Sequence, residues 1–185
     1  GGPDGEIGAS MRYLSQRFTA PNRVCMAVLT DVATEELGHL EMVSTIVHQL
    51  TANLTVEEIE NQGFADYYVD HAVGIWPQSA GGIPFNSCEF QSKGDPVTDM
   101  FESMAAEQKA RSTYDNILRV VRDIPEIADP IRFLRAREVV HFQRFGEALQ
   151  SLQDQLNSKN FYQMNPSFDT GLTREPCDCQ GECVQ

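Results

Sequence analysis

Two Glu-x-x-His pairs, Glu36 with His39 and Glu138 with His141, stand inside apolar stripes of helical period and constrain the fold more than any other feature. The first stripe carries Cys25, Val28 and Val32 before the pair, then Leu40, Val43, Val47 and Leu50 after it. The second carries Ile131 and Leu134 before, then Phe145, Leu149, Leu152 and Leu156 after. Residues three apart share one face of a helix, so both pairs are predicted to point into a core.

Punctuation by Pro and Gly marks out the helices. The first is predicted from about Asp4 to Phe18, closed by Pro21, and the second starts after Asn22 as N-cap. Gly63, Gly74, Pro77, Gly81, Gly82, Pro84 and Gly94 make residues 51–95 mostly loop, with a short helix near Val56 to Asn61. The third helix follows Gly94-Asp95-Pro96 and shows Val97, Met100, Met104, Glu107, Arg111, Tyr114, Leu118 and Val121 on one face. A fourth starts after Pro125 or Pro130. Helices two and three must lie parallel if all four form one bundle, which requires a long crossover. The predicted fold is therefore all-α: a ferritin-like four-helix bundle over residues 1–157 with its crossover at 51–95. Residues 158–185 are predicted to form an extended arm ending in a cysteine-bearing tail.

The third helix supplies Glu107 to the same interior, and the first supplies Glu6, with Tyr13 two turns later. Burying four carboxylates together demands positive charge, because ionised groups in a low-dielectric core lose their hydration. Two metal ions held by carboxylate and imidazole satisfy that demand. The competing reading is a set of buried salt bridges among Glu36, His39, Glu138, His141 and Arg111.

With 185 residues, 41% of them hydrophobic, the chain suits one soluble domain. A net charge of -13, from 14 Lys+Arg against 27 Asp+Glu, excludes a nucleic-acid binder. No stretch reaches the length of a membrane span, and no secretory signal opens the sequence. Five cysteines, three of them crowded at Cys177, Cys179 and Cys183, do not form a disulfide framework, so thiols in a reducing compartment inside the cell are expected. The Gly-Gly-Pro-Asp-Gly-Glu run reads as the approach to a helix, with further sequence expected before Gly1. His48 and His71 stand in no ligand pattern, and Glu35 and Glu41 are expected to point away from His39 into solvent.

In four stretches the sequence resembles the manganese catalases, particularly their shorter branch that includes the spore coat protein of the CotJC type. These are Gly-Gly-Pro-Asp-Gly-Glu with Arg-Tyr-Leu-Ser-Gln-Arg-Phe, Thr-Glu-Glu-Leu-Gly-His-Leu-Glu, Met-Ala-Ala-Glu-Gln-Lys-Ala-Arg, and Arg-Glu-Val-Val-His-Phe-Gln-Arg-Phe, within a resemblance that runs from Gly1 to about Asp169. The resemblance implies disproportionation of hydrogen peroxide by two manganese ions per chain. It makes Glu6 and Glu107 carboxylate ligands, Glu36 a bridge, His39 and His141 one imidazole per metal, and Glu138 a proton-handling carboxylate outside the ligand set. Tyr13 would hydrogen-bond a ligating carboxylate, and Arg111, in preference to Lys109, would be the cation beside the metals. It further implies a homo-oligomer, hexameric in the catalases of the family, working in the cytoplasm or in a spore coat with other coat proteins. A di-iron oxidase or ferroxidase is the alternative enzyme, since carboxylate-rich sites accept iron as well as manganese. A structural coat component with a stabilising metal site is the third reading.

Overall fold

The computed structural model describes residues 1–63, 65, 79 and 83–158. The chain enters α1 (Glu6–Gln16), makes one 3-10 turn (Arg17–Thr19) and continues into α2 (Arg23–Thr51) and the short α3 (Val56–Asn61). A 3-10 turn at Ser87–Glu89 precedes α4 (Pro96–Val121), and α5 (Pro125–Ser158) follows after a tight connection. Helix one is thus shorter than the sequence suggests, because its last residues tighten from α to 3-10 pitch before Pro21. Pro130 lies inside α5 rather than at its start.

Two of the long helices start at a side-chain cap. The Asn22 side chain accepts from Cys25 N to cap α2, and Asp95 accepts from Thr98 N to cap α4, where Pro96 fills a position whose N–H would be unpaired anyway. A capping box between Thr55 and Glu58 starts α3. The segment before α1 is pressed against it: a Cβ at Gly8 would collide with the Pro3 carbonyl oxygen. Only glycine allows that approach, which holds the stretch before Glu6 close to the helix.

Around the bundle α1 contacts α2, α2 contacts α5, α5 contacts α4, and α4 contacts α1. The chain belongs to the ferritin-like class of helical bundles anticipated from helix order, with its crossover between α2 and α4. Two apolar clusters fill it. One gathers Tyr13, Cys25, Leu29, Val32, Met100, Phe145, Leu149 and Leu152; the other gathers Tyr114, Ile131 and Leu134 with Met42, Val43 and Ile117. The Glu36, His39, Glu107, Glu138 and His141 layer falls between them along each helix, so hydrophobic packing on both sides holds a polar layer in register. At the far end of α2 the stripe frays, and Leu50 is exposed.

None of the helices in the described residues is long and apolar enough to cross a membrane. His71, the extended arm beyond residue 158 and the cysteine tail lie outside the described residues.

Candidate metal centre

The structure brings Glu6, Glu36, His39, Glu107, Glu138 and His141 into one buried layer, where all but Glu6 are 2% exposed or less. α2 delivers Glu36 and His39 from adjacent turns; α5 does the same with Glu138 and His141. Glu36 lies at the centre. Its Oε2 is 2.7 Å from His39 Nδ1, and its Oε1 is 2.7 Å from His141 Nδ1. Glu6 Oε2 reaches within 3.7 Å of His39 Nδ1, and Glu107 Oε2 within 3.4 Å of His141 Nδ1. The two imidazoles lie nearly parallel, 5.3 Å apart at 18°. Each half of the site therefore pairs one histidine with one carboxylate, and Glu36 is shared.

Two tyrosines fix the outer carboxylates. The Tyr13 hydroxyl donates to Glu107 Oε1, and the Tyr114 hydroxyl donates to Glu6 Oε1. Burial raises both phenols well above their usual range, as does the charge of the carboxylate each one meets, so both remain donors. Tyr13 occupies the place the sequence suggests. The role of Tyr114 was not legible, because on the stripe of α4 it reads as an ordinary core residue.

Glu138 Oε1 stands 3.6 Å from His39 Nδ1, no farther than Glu6 does. Burial first, then the charges of Glu107, Glu6 and Glu36, push its carboxyl up to about 11, so it holds a proton at neutral pH. Burial opposes charge on the imidazoles, yet the facing carboxylates outweigh it: Glu36 and Glu6 raise His39 to about 9, and Glu107 and Glu36 raise His141 to about 10.

This donor set fits metal ions. Ligand atoms of Glu36, His39, Glu138 and His141 all lie within 4.8 Å of one another. Glu36 Oε1, Glu107 Oε2, Glu138 Oε1 and His141 Nδ1 are buried without a well-formed hydrogen bond among the described residues. Buried polar atoms left this way are costly, and oxygen and imidazole donors together suit manganese or iron.

One pH dependence follows for metal-free protein. His39 and His141 rise from an ordinary 6.5 to about 9 and 10, and Glu138 from 4.5 to about 11. The folded state then binds more protons than the unfolded chain across neutral and mildly alkaline pH, so stability falls as pH rises. The histidine contribution is fully present below about pH 6.5 and is lost as pH climbs through 9 to 10. Each extra bound proton gives a slope of about 1.4 kcal/mol per pH unit. Chelator-treated protein is expected to melt at progressively lower temperature from about pH 7 to pH 9.5, and metal-loaded protein, whose imidazoles are already neutral, to show a much flatter profile.

A cavity of about 430 Å³ runs between α1 and α4 to Glu6, Glu107 and Glu138. Arg111 does not line it: its guanidinium is drawn outward to Gln108 and to Asp115 on the next turn. The arginine that does line the cavity is Arg12, which is buried and whose Nε has no partner among the described residues. Lys109 lines the cavity as well, largely exposed and 3.6 Å from Glu102. Glu35 also departs from expectation. It turns inward and lies 3.2 Å from His141 Nε2.

The family model of manganese-containing catalases matches residues 1–166. The chain belongs to the manganese catalase family. Among its relatives, Protein CotJC of Bacillus subtilis is 44% identical over 88% of this chain and 85% of that protein. A probable manganese catalase of Clostridium acetobutylicum is 30% identical over 87% of this chain and 71% of that protein. The crystal structure of KatB, a manganese catalase from Anabaena, superposes with a TM-score of 0.73 at 31% identity, covering 83% of this chain and 68% of that one. This manganese catalase family member thus carries a buried glutamate and histidine cluster able to bind metal, in the family's helical bundle.

Proposed function

We propose that this protein is a catalase that converts two molecules of hydrogen peroxide into two of water and one of dioxygen at a pair of manganese ions. The observation that carries the reading is Glu36, whose two oxygens each lie 2.7 Å from the Nδ1 of a different histidine. Glu36 would then be shared between two ions, with Glu6 and His39 holding one and Glu107 and His141 the other. When bound, the metal pair supplies the two-electron store that lets one peroxide be oxidised to dioxygen and the next be reduced to water without an outside reductant.

The protein's own groups handle position and protons. Tyr13 and Tyr114 hold Glu107 and Glu6 by donating to one oxygen of each, leaving the other oxygen for metal. Glu138 lines the cavity, and in the metal-free protein burial and the charges of three neighbouring carboxylates favour its protonated form. Its place in the reaction is to give a proton to the peroxide oxygen that leaves as water and to take one back when peroxide is oxidised. Arg12 takes the role first expected of Arg111, a fixed cation on the wall of the cavity by which peroxide arrives. Residues 1–157 would form the catalytic bundle as one domain. Membership of the family favours a homo-oligomer, and the likeness to the CotJC branch favours service in the cytoplasm or in a spore coat among coat proteins.

Purified protein loaded with manganese or with iron, then given peroxide, tests the reading. Two manganese per chain with oxygen release supports it. Oxygen consumption by the iron form, with none released by the manganese form, would point to an oxidase instead, and inert protein with full metal content to a structural coat component.

A further inference from the structure

The outer edges of the two histidines face a single carboxylate that the proposed reaction leaves unused. Each imidazole turns Nδ1 towards Glu36, so the opposite nitrogen, Nε2, points away from the layer. Glu35 Oε2 lies 3.2 Å from His141 Nε2, and Glu35 Oε1 lies 3.7 Å from His39 Nε2. Arg137 grips the same two oxygens from α5: Nε meets Oε1, and Nη2 meets Oε2 at 3.0 Å. Each oxygen of Glu35 thus accepts from one guanidinium nitrogen and faces one imidazole Nε2, and both Nε2 atoms are buried without a well-formed hydrogen bond to any other group among the described residues. The Arg137 guanidinium across both oxygens pairs with the carboxylate form of Glu35.

We propose that Glu35, fixed by Arg137, is a positioning residue that orients both histidines at once and thereby ties the affinities of the two metal sites together. A neutral imidazole that binds metal through Nδ1 must carry its proton on Nε2, and that N–H needs an acceptor. An anion as acceptor also makes the imidazole a stronger donor to the metal. The arrangement is written into the residues that precede each Glu-x-x-His. Glu35 is four residues before His39 and Arg137 four residues before His141, both helix-neighbour spacings, and the two have opposite charge. When α2 and α5 bring their motifs together, the ion pair closes behind both rings.

The inference rests on the two-metal reading, and its test separates the two. Manganese affinity is measured by calorimetry on chelator-treated wild-type, Glu35→Gln, Arg137→Met and Asp115→Asn protein. Asp115 makes its ion pairs with Arg111 and Arg135 instead. Glu35→Gln is expected to weaken uptake of both ions by about 10- to 100-fold, the range seen when a group behind a metal ligand is lost. Arg137→Met should weaken it less, and Asp115→Asn not at all, with the metal-free melting temperatures of Glu35→Gln and Asp115→Asn alike. Wild-type affinity at both sites in Glu35→Gln would overturn the inference alone, as would weakening at one site only. Wild-type protein that takes up no manganese would overturn the metal reading and this inference with it.

Discussion

Glu36→Ala is expected to reduce oxygen release from peroxide more than about 100-fold and to strip the protein of most of its manganese. The bound is set by comparison: losing a group behind a ligand typically costs 10- to 100-fold, and Glu36 is the carboxylate that meets the Nδ1 of both histidines. The folded protein should survive the change. Removing Glu36 takes out one of the negative charges crowded in the layer, while the apolar clusters on either side are untouched. Metal analysis, peroxide turnover and a melting curve on one preparation check all three statements. Near-normal turnover would mean that Glu36 is not the bridge.

Glu138→Gln is expected to separate chemistry from metal binding. Glutamine keeps the shape and a hydrogen-bonding group at Glu138 but cannot pass a proton, so turnover should fall by about 10²- to 10⁴-fold, the usual worth of a positioned acid or base. Metal content should stay at two per chain, because glutamine keeps the volume of Glu138 and the proposed ligand set does not include it. The contrast with Glu36→Ala is what matters: one variant loses metal and activity together, the other activity alone. If Glu138→Gln also lost its metal, Glu138 would be a ligand, as its closeness to Glu36, His39 and His141 would then explain.

The bundle was legible because several independent signals agreed. The two Glu-x-x-His pairs fixed the inward faces of α2 and α5, Asn22 and Asp95 marked where helices start, and the run of Gly and Pro between α2 and α4 required a long crossover. What failed was direction at the level of single side chains. Arg111 stands four residues after Glu107 and so shares its stripe, yet Asp115 on its own helix, which also accepts from Arg135 of α5, creates a polar seam that draws it out. Arg12 stood beside Tyr13 with no stripe to mark it, since α1 buries polar residues such as Ser10, Arg12 and Gln16 along with its few apolar ones. Glu35 was assigned to solvent because it neighbours Glu36 in sequence and so points elsewhere on the helix. An imidazole, however, has two nitrogens on opposite edges. Glu36 meets one edge of His39 and Glu35 approaches the other, so the Glu-Glu-x-x-His run addresses both.

Diffraction from manganese-loaded crystals at the manganese absorption edge tests the central claim most directly. Two anomalous peaks are expected in the polar layer, one beside His39 and Glu6 and one beside His141 and Glu107, with an oxygen of Glu36 in contact with each. A layer without anomalous density, or a single peak away from Glu36, would contradict the account.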